Sequence, residues 1–150
     1  MSVKFLRPLI AILLCAVTIP GQVKDAGKFS RLRVPRDLRE RLAERFNLFV
    51  EYERTGQYEK QYDLLADEAR RNLQRNEYAE GKRKAEQEVG RLLELKVAGV
   101  GRELTDGKWV GVDIRPKWWL NGRTYSNQAV SFVAYLQDGD WYFSMAYVEV

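Results

Sequence analysis

From Pro35 onward apolar residues recur at three- and four-residue spacing. Leu38, Leu42, Phe46, Phe49 and Val50 form one stripe, and Arg39, Arg41, Glu44 and Arg45 fill the rest. This pattern predicts an amphipathic helix packed on a sheet, ended by Gly56. Tyr58, Tyr62, Leu64 and Leu65 start a short second helix with acidic Glu59, Asp63 and Asp67. A third helix is expected from about Asn76 to Val89. Its stripe is thin, Tyr78, Ala79, Ala85 and Val89, against Glu80, Lys82, Arg83, Lys84, Glu86 and Glu88, and Gly90 is its C-terminal stop.

The period then changes to that of strands. Leu92, Leu93, Leu95, Val97 and Val100 read as the first. Val110, Val112 and Ile114 alternate in the second, which runs to a turn at Asn121-Gly122, the dipeptide best suited to two positive φ angles. Gln137-Asp138-Gly139-Asp140 makes a second turn between Ala129–Leu136 and a last strand from Trp141 to Val148. Trp141, Phe143, Met145 and Tyr147 are expected to face the main core beside Phe132. An unbroken hairpin through Asn121-Gly122 would pair Ile114 with Ala129 and place Val112 and Ile114 on the wrong face, since a one-residue slip flips every side chain. Pro116 cannot donate to a ladder, so a bulge is expected there. Helices first and strands second predict an α+β domain of N-terminal helices on an antiparallel sheet.

Lys4 and Arg7, an apolar run from Leu9 to Ile19, and Pro20-Gly21 follow the charged, apolar, breaker order of a secretory signal peptide over 1–21. The run is shorter than the roughly 20 residues that a membrane helix wants, so an anchor formed by uncleaved residues 9–19 is the alternative. Leu14 stands where a lipobox has Gly, Ala or Ser, which argues against lipidation of Cys15. Residues 22–34, with Lys24, Lys28, Arg31 and Arg33, read as a basic linker, and 35–150 as the domain. Lys4 and Arg7 leave with the leader, lowering the formal net charge of +4 by two. That leaves little reason to expect nucleic acid, and a membrane contact is expected only through the leader. The chain after the leader has no cysteine, so a domain of about 130 residues must fold on its core alone.

The sequence contains no histidine. Ser-His-Asp and Cys-His sites are thereby excluded, the usual zinc sets lose their imidazoles, and no Gly-rich phosphate loop opens a helix. No metal or cofactor is expected. Carboxylates and tyrosines remain for acid–base work: Asp113 and Arg115 point away from the Val-Ile face, as a base with its partner or as a surface pair. Tyr58, Tyr62, Trp118 and Tyr147 are the candidate ligand-binding residues, with plain core packing as the alternative for the tyrosines. Trp118 and Trp119 point to opposite faces, so one of them is expected at a pocket rim or an interface. On the outer face of the sheet, Val133, Tyr135, Tyr142 and Val148, flanked by Asp113 and Arg115, form a patch of interface composition.

The order of elements, with the phrases "TGQYEKQYDLLADEAR", "GRLLELKVAGV" and "DGDWYF", resembles the nuclear transport factor 2-like superfamily, which includes ketosteroid isomerase and SnoaL-like proteins, and in particular its exported bacterial members. The resemblance covers residues 36 to 150. It implies a strongly curved sheet wrapped on helices into a cystatin-like cone, a cavity between the two, and a homodimer through the outer sheet face. No catalytic pair matches by position, so no catalytic residue is carried over. The expected function is an exported, non-catalytic module of the cell envelope that binds a small hydrophobic or aromatic ligand, or assembles. A ketosteroid isomerase-like or dehydratase-like enzyme using a carboxylate or tyrosine is the alternative.

Overall fold

The computed structural model describes Phe29 and residues 32–103, 108–127 and 130–144. Its helices are α1 (Arg36–Arg54), α2 (Tyr58–Tyr62), α3 (Asp67–Arg70) and α4 (Arg75–Val89). Its strands are β1 (Arg91–Glu103), β2 (Trp109–Leu120), β3 (Arg123–Ser126), β4 (Val130–Gln137) and β5 (Asp140–Phe143). The helices pack against a strongly curled antiparallel half-barrel, the expected α+β cone. The one-turn α3 is an addition to the expected elements. Residues 1–21, read above as a signal peptide, lie outside the described residues, as do Tyr147 and Val148.

α1 buries the face its spacing predicts: Leu42, Ala43, Phe46 and Phe49 are buried, and Leu38 and Val50 pack at its margin. The chain turns out of α1 at Gly56, φ +69°, while the Gln57 amide donates back to the Tyr52 carbonyl at 2.9 Å. α4 starts with the Gln74 amide donating to the Glu77 carboxylate at 2.9 Å. Tyr78 and Ala79 of α4 are buried, but Val89 in its last turn is exposed, so the helix leaves the core before it ends.

The strand order is β1-β2-β4-β5, with β3 and β4 following one another along the same edge of β2. Asn121 and Gly122 both take positive φ, 50° and 79°, and Leu120 pairs with Arg123. The register then shifts by one residue: Lys117 pairs with Ser126, but Ile114 pairs with Val130 and Val112 with Phe132. The shift therefore falls opposite Pro116, with the extra residue on the β3–β4 side. The Pro116 carbonyl accepts from the Asn127 amide at 3.3 Å, and a strand residue's N–H and C=O point the same way. Its missing donor thus faces the interrupted ladder. Val110, Val112 and Ile114 consequently join Phe132 in the core.

β1 carries three register shifts against β2, at Leu92/Glu94, Val97/Gly99 and Val100/Glu103. Each places an extra residue on β1, and bulges of this kind bend a strand and tighten its twist. They account for the curl. Inside the curl sit Phe46, Phe49, Phe132 and Phe143, with ring centroids 5.1–6.1 Å apart. Trp141 is fully buried, and its indole N–H donates to the Leu38 carbonyl at 2.8 Å. Two residues of the stretch read as a linker, Phe29 and Leu32, are also buried, Phe29 edge-on to Phe46.

The free edge of β5 is covered. The Phe143 amide donates to the Leu64 carbonyl at 2.9 Å, and the Ala66 amide donates to the Phe143 carbonyl at 2.8 Å. Leu64–Ala66 acts as a short parallel strand that satisfies this edge.

Candidate functional site

Two places gather polar and aromatic groups. The first lies within the helical layer. Glu53 falls three and seven residues after Val50 and Phe46, so α1 carries a carboxylate on its apolar stripe. It is buried, and both of its oxygens are occupied: Lys82 Nζ lies 2.7 Å from Oε1, and Gln61 Nε2 donates to Oε2 at 2.8 Å. The fully buried Gln61 also donates to the Phe49 carbonyl at 3.1 Å and accepts from the Tyr78 hydroxyl at 2.7 Å. α1, α2 and α4 thus share one hydrogen-bonded network, and a satisfied network of this kind fixes packing.

Tyr58 lies at the edge of this network, buried, with its hydroxyl donating to Glu86 Oε2 at 2.7 Å. Burial first, and then the bond to the Glu86 carboxylate, push its phenol well above the ordinary value. A tyrosine so held stays protonated. Tyr62, one turn on, donates to the Leu73 carbonyl at 2.6 Å, with its ring against Tyr78. The two tyrosines are therefore donors committed within the helical layer.

The second place is a cleft of about 320 Å³ between the last turn of α4 and the β2–β3 hairpin, lined by Glu86, Gln87, Gly90, Arg91, Trp119, Leu120 and Asn121. Gly90 makes it possible. Its φ of +92° is a glycine conformation, and a Cβ there would lie 2.3 Å from the Trp119 carbonyl oxygen. The helix end is thereby brought onto the hairpin backbone. Arg91 pairs in register with Trp119 and lies over its ring at 5.9 Å. The Tyr125 hydroxyl donates to the Val89 carbonyl, an orphan acceptor of the helix end.

Among the described residues, four large apolar side chains stand out as exposed, and three are here: Val89 at 45%, Trp119 at 44% and Tyr125 at 36%. Trp118 points the other way, half-buried, opposite Leu92 and Tyr125 in register. Its indole N–H is buried with no acceptor. Glu86 links the two places, since it lines the cleft and holds Tyr58.

On the outer sheet face, Asp113, Val133, Tyr135 and Tyr142 are half-buried, and Arg115 is exposed. Register brings Asp113 beside Ser131, Gly111 beside Val133, and Tyr135 beside Tyr142. Asp113 accepts from the Ser131 hydroxyl at 2.7 Å, and no ion pair joins it to Arg115. The strand alternation puts the two charges on one face, but the neighbouring strand supplies a closer donor. The Tyr142 ring lies under the Arg45 guanidinium at 4.7 Å, which anchors it to α1.

Sequence reasoning missed the Glu53–Gln61–Tyr78 network and the part played by Arg91. A carboxylate at a stripe position of α1 was the available signal for the first. The second depends on the β1–β2 register, which no local pattern encodes. Compared with known proteins, the chain matches no family model and is significantly similar to no curated protein.

Proposed function

We propose that this chain is an exported, non-catalytic module of the cell envelope, which binds a small hydrophobic or aromatic ligand and assembles as a homodimer. One observation carries the reading. The buried carboxylate and tyrosines of the helical layer are saturated by hydrogen bonds, while the open cleft presents the Trp119 face beside Leu120. An acid–base catalyst needs a group free to exchange a proton with substrate. A binding module needs an accessible aromatic wall with a few oriented polar groups, and Glu86, Gln87 and Asn121 are such groups. Helices on a curled antiparallel sheet are the fold that the resemblance to the nuclear transport factor 2-like superfamily implies, and membership in it is part of the proposal.

A thermal-shift screen of the full chain against hydrophobic and aromatic compounds tests the reading, because a ligand held only by the folded state raises the melting temperature. Hits are expected, and Trp119→Ala should remove the shift. Shifts that persist undiminished in Trp119→Ala would move the site elsewhere. Turnover of an added ketosteroid would return the enzymatic alternative.

A further inference from the structure

The sequence carries only a small net charge after its leader, but the fold does not spread it evenly. Register places Arg91, Lys96, Arg115, Lys117 and Trp119 on the outer face of β1 and β2, all exposed. Lys96 stands directly opposite Arg115. Like charges at such a position destabilise a sheet, and an anion bound over them would relieve the repulsion. Glu94, opposite Lys117, is the one carboxylate among these exposed positions, and it lies 3.8 Å from Lys96. Arg91, Arg115 and Lys117 have no carboxylate partner among the described residues. The exposed Trp119 ends this stripe, with Arg91 over its ring.

We infer that this face docks on a bilayer surface presenting anionic phosphate headgroups. Guanidinium and ammonium groups match phosphate, and an indole settles at the boundary between headgroups and acyl chains. An acidic protein or a nucleic acid would use the same charges, but neither explains a lone exposed indole at the end of the stripe as directly. The stripe shares Arg91 and Trp119 with the cleft, and its other basic residues, Lys96, Arg115 and Lys117, carry it beyond the cleft along β1 and β2. It also adds a membrane contact to the one expected from the leader.

The test is vesicle flotation of the full chain at low salt, with phosphatidylglycerol–phosphatidylcholine vesicles against pure phosphatidylcholine. The apolar run at 9–19 contributes to both, so the ratio of partition coefficients isolates the charged face. Each basic residue near an anionic surface is worth about fivefold, so the triple variant Arg91→Gln, Arg115→Gln, Lys117→Gln should lower the ratio about a hundredfold. A control with Arg36→Gln, Arg54→Gln and Arg71→Gln, which removes equal charge from exposed positions elsewhere, should leave most of it. Circular dichroism melts confirm folding. If the stripe variant fails to fold, Lys117→Glu alone carries the test, with the same direction expected. A ratio near one for the unaltered chain overturns the inference, as does an equal fall in the control. Binding to polyglutamate or to nucleic acid without vesicle binding also overturns it, in favour of those partners.

Discussion

Gly81 and Gly90, nine positions apart, answer substitution in opposite ways. Gly81 lies inside α4 with nothing within 4 Å of an added Cβ, so Gly81→Ala only restricts the unfolded chain and improves helix propensity. It should stabilise by about 0.5–1 kcal/mol. Gly90→Ala must adopt φ +92°, ψ 176° and displace the Trp119 carbonyl, at a cost of at least about 2 kcal/mol. Urea midpoints of the two variants check both signs. Tyr58 makes a pH prediction. Its folded-state phenol titrates above the unfolded value of 10.0, so its contribution is complete below that pH and is lost as pH rises beyond it. Tyr58→Phe should cost about 1 kcal/mol at neutral pH. The gap between the two proteins, measured by denaturant unfolding, should close as pH climbs past 10. The glycine stops at Gly56 and Gly90 were legible as ends of periodic runs. The contact that makes one of them indispensable was not, because Trp119 is a distant neighbour through β2.

At the scale of elements, α1, α2 and α4 are joined through the amide of Gln61. Gln61→Leu keeps the volume but removes the buried bonds that Gln61 makes to the Phe49 carbonyl, the Glu53 carboxylate and the Tyr78 hydroxyl. Three buried hydrogen bonds, one of them to a carboxylate, are worth about 1 kcal/mol or more each, so a loss of roughly 3 kcal/mol is expected from thermal or urea unfolding. Glu53→Gln, which keeps a side chain able to hydrogen-bond, should lose less. The elements themselves were largely readable. The α1 stripe, the positive-φ turns at Asn121-Gly122 and Asp138-Gly139, and the one-residue correction opposite Pro116 follow from spacing and backbone chemistry. The bulges of β1 left only faint traces, the doubled Leu92-Leu93 and the three-residue gap from Val97 to Val100. α3 is too short for a period, and Phe29 and Leu32 stand singly among polar residues, so neither had a repeating pattern to announce it.

At the scale of the molecule, the outer patch around Val133, Tyr135 and Tyr142 is half-buried in one chain, and the proposed second copy would complete its burial. Val133→Asp should convert the dimer to a monomer in sedimentation at tens of micromolar, with the melting transition of the protomer retained. A monomer before substitution would remove assembly from the proposed function. The patch was legible because strand alternation separates faces. The cleft was not, because its walls meet only once α4 and the hairpin tip are in place. The closing contacts of the core also span nearly the whole domain: Arg45 Nε donates to the Trp141 carbonyl and the Trp141 indole to Leu38, across 96 and 103 positions. The first helix therefore finds its cover only when the last described strand arrives, and contacts so remote in sequence slow folding. A chain emerging from its ribosome would stay open until Trp141 had been made, the unfolded condition that the proposed export would need.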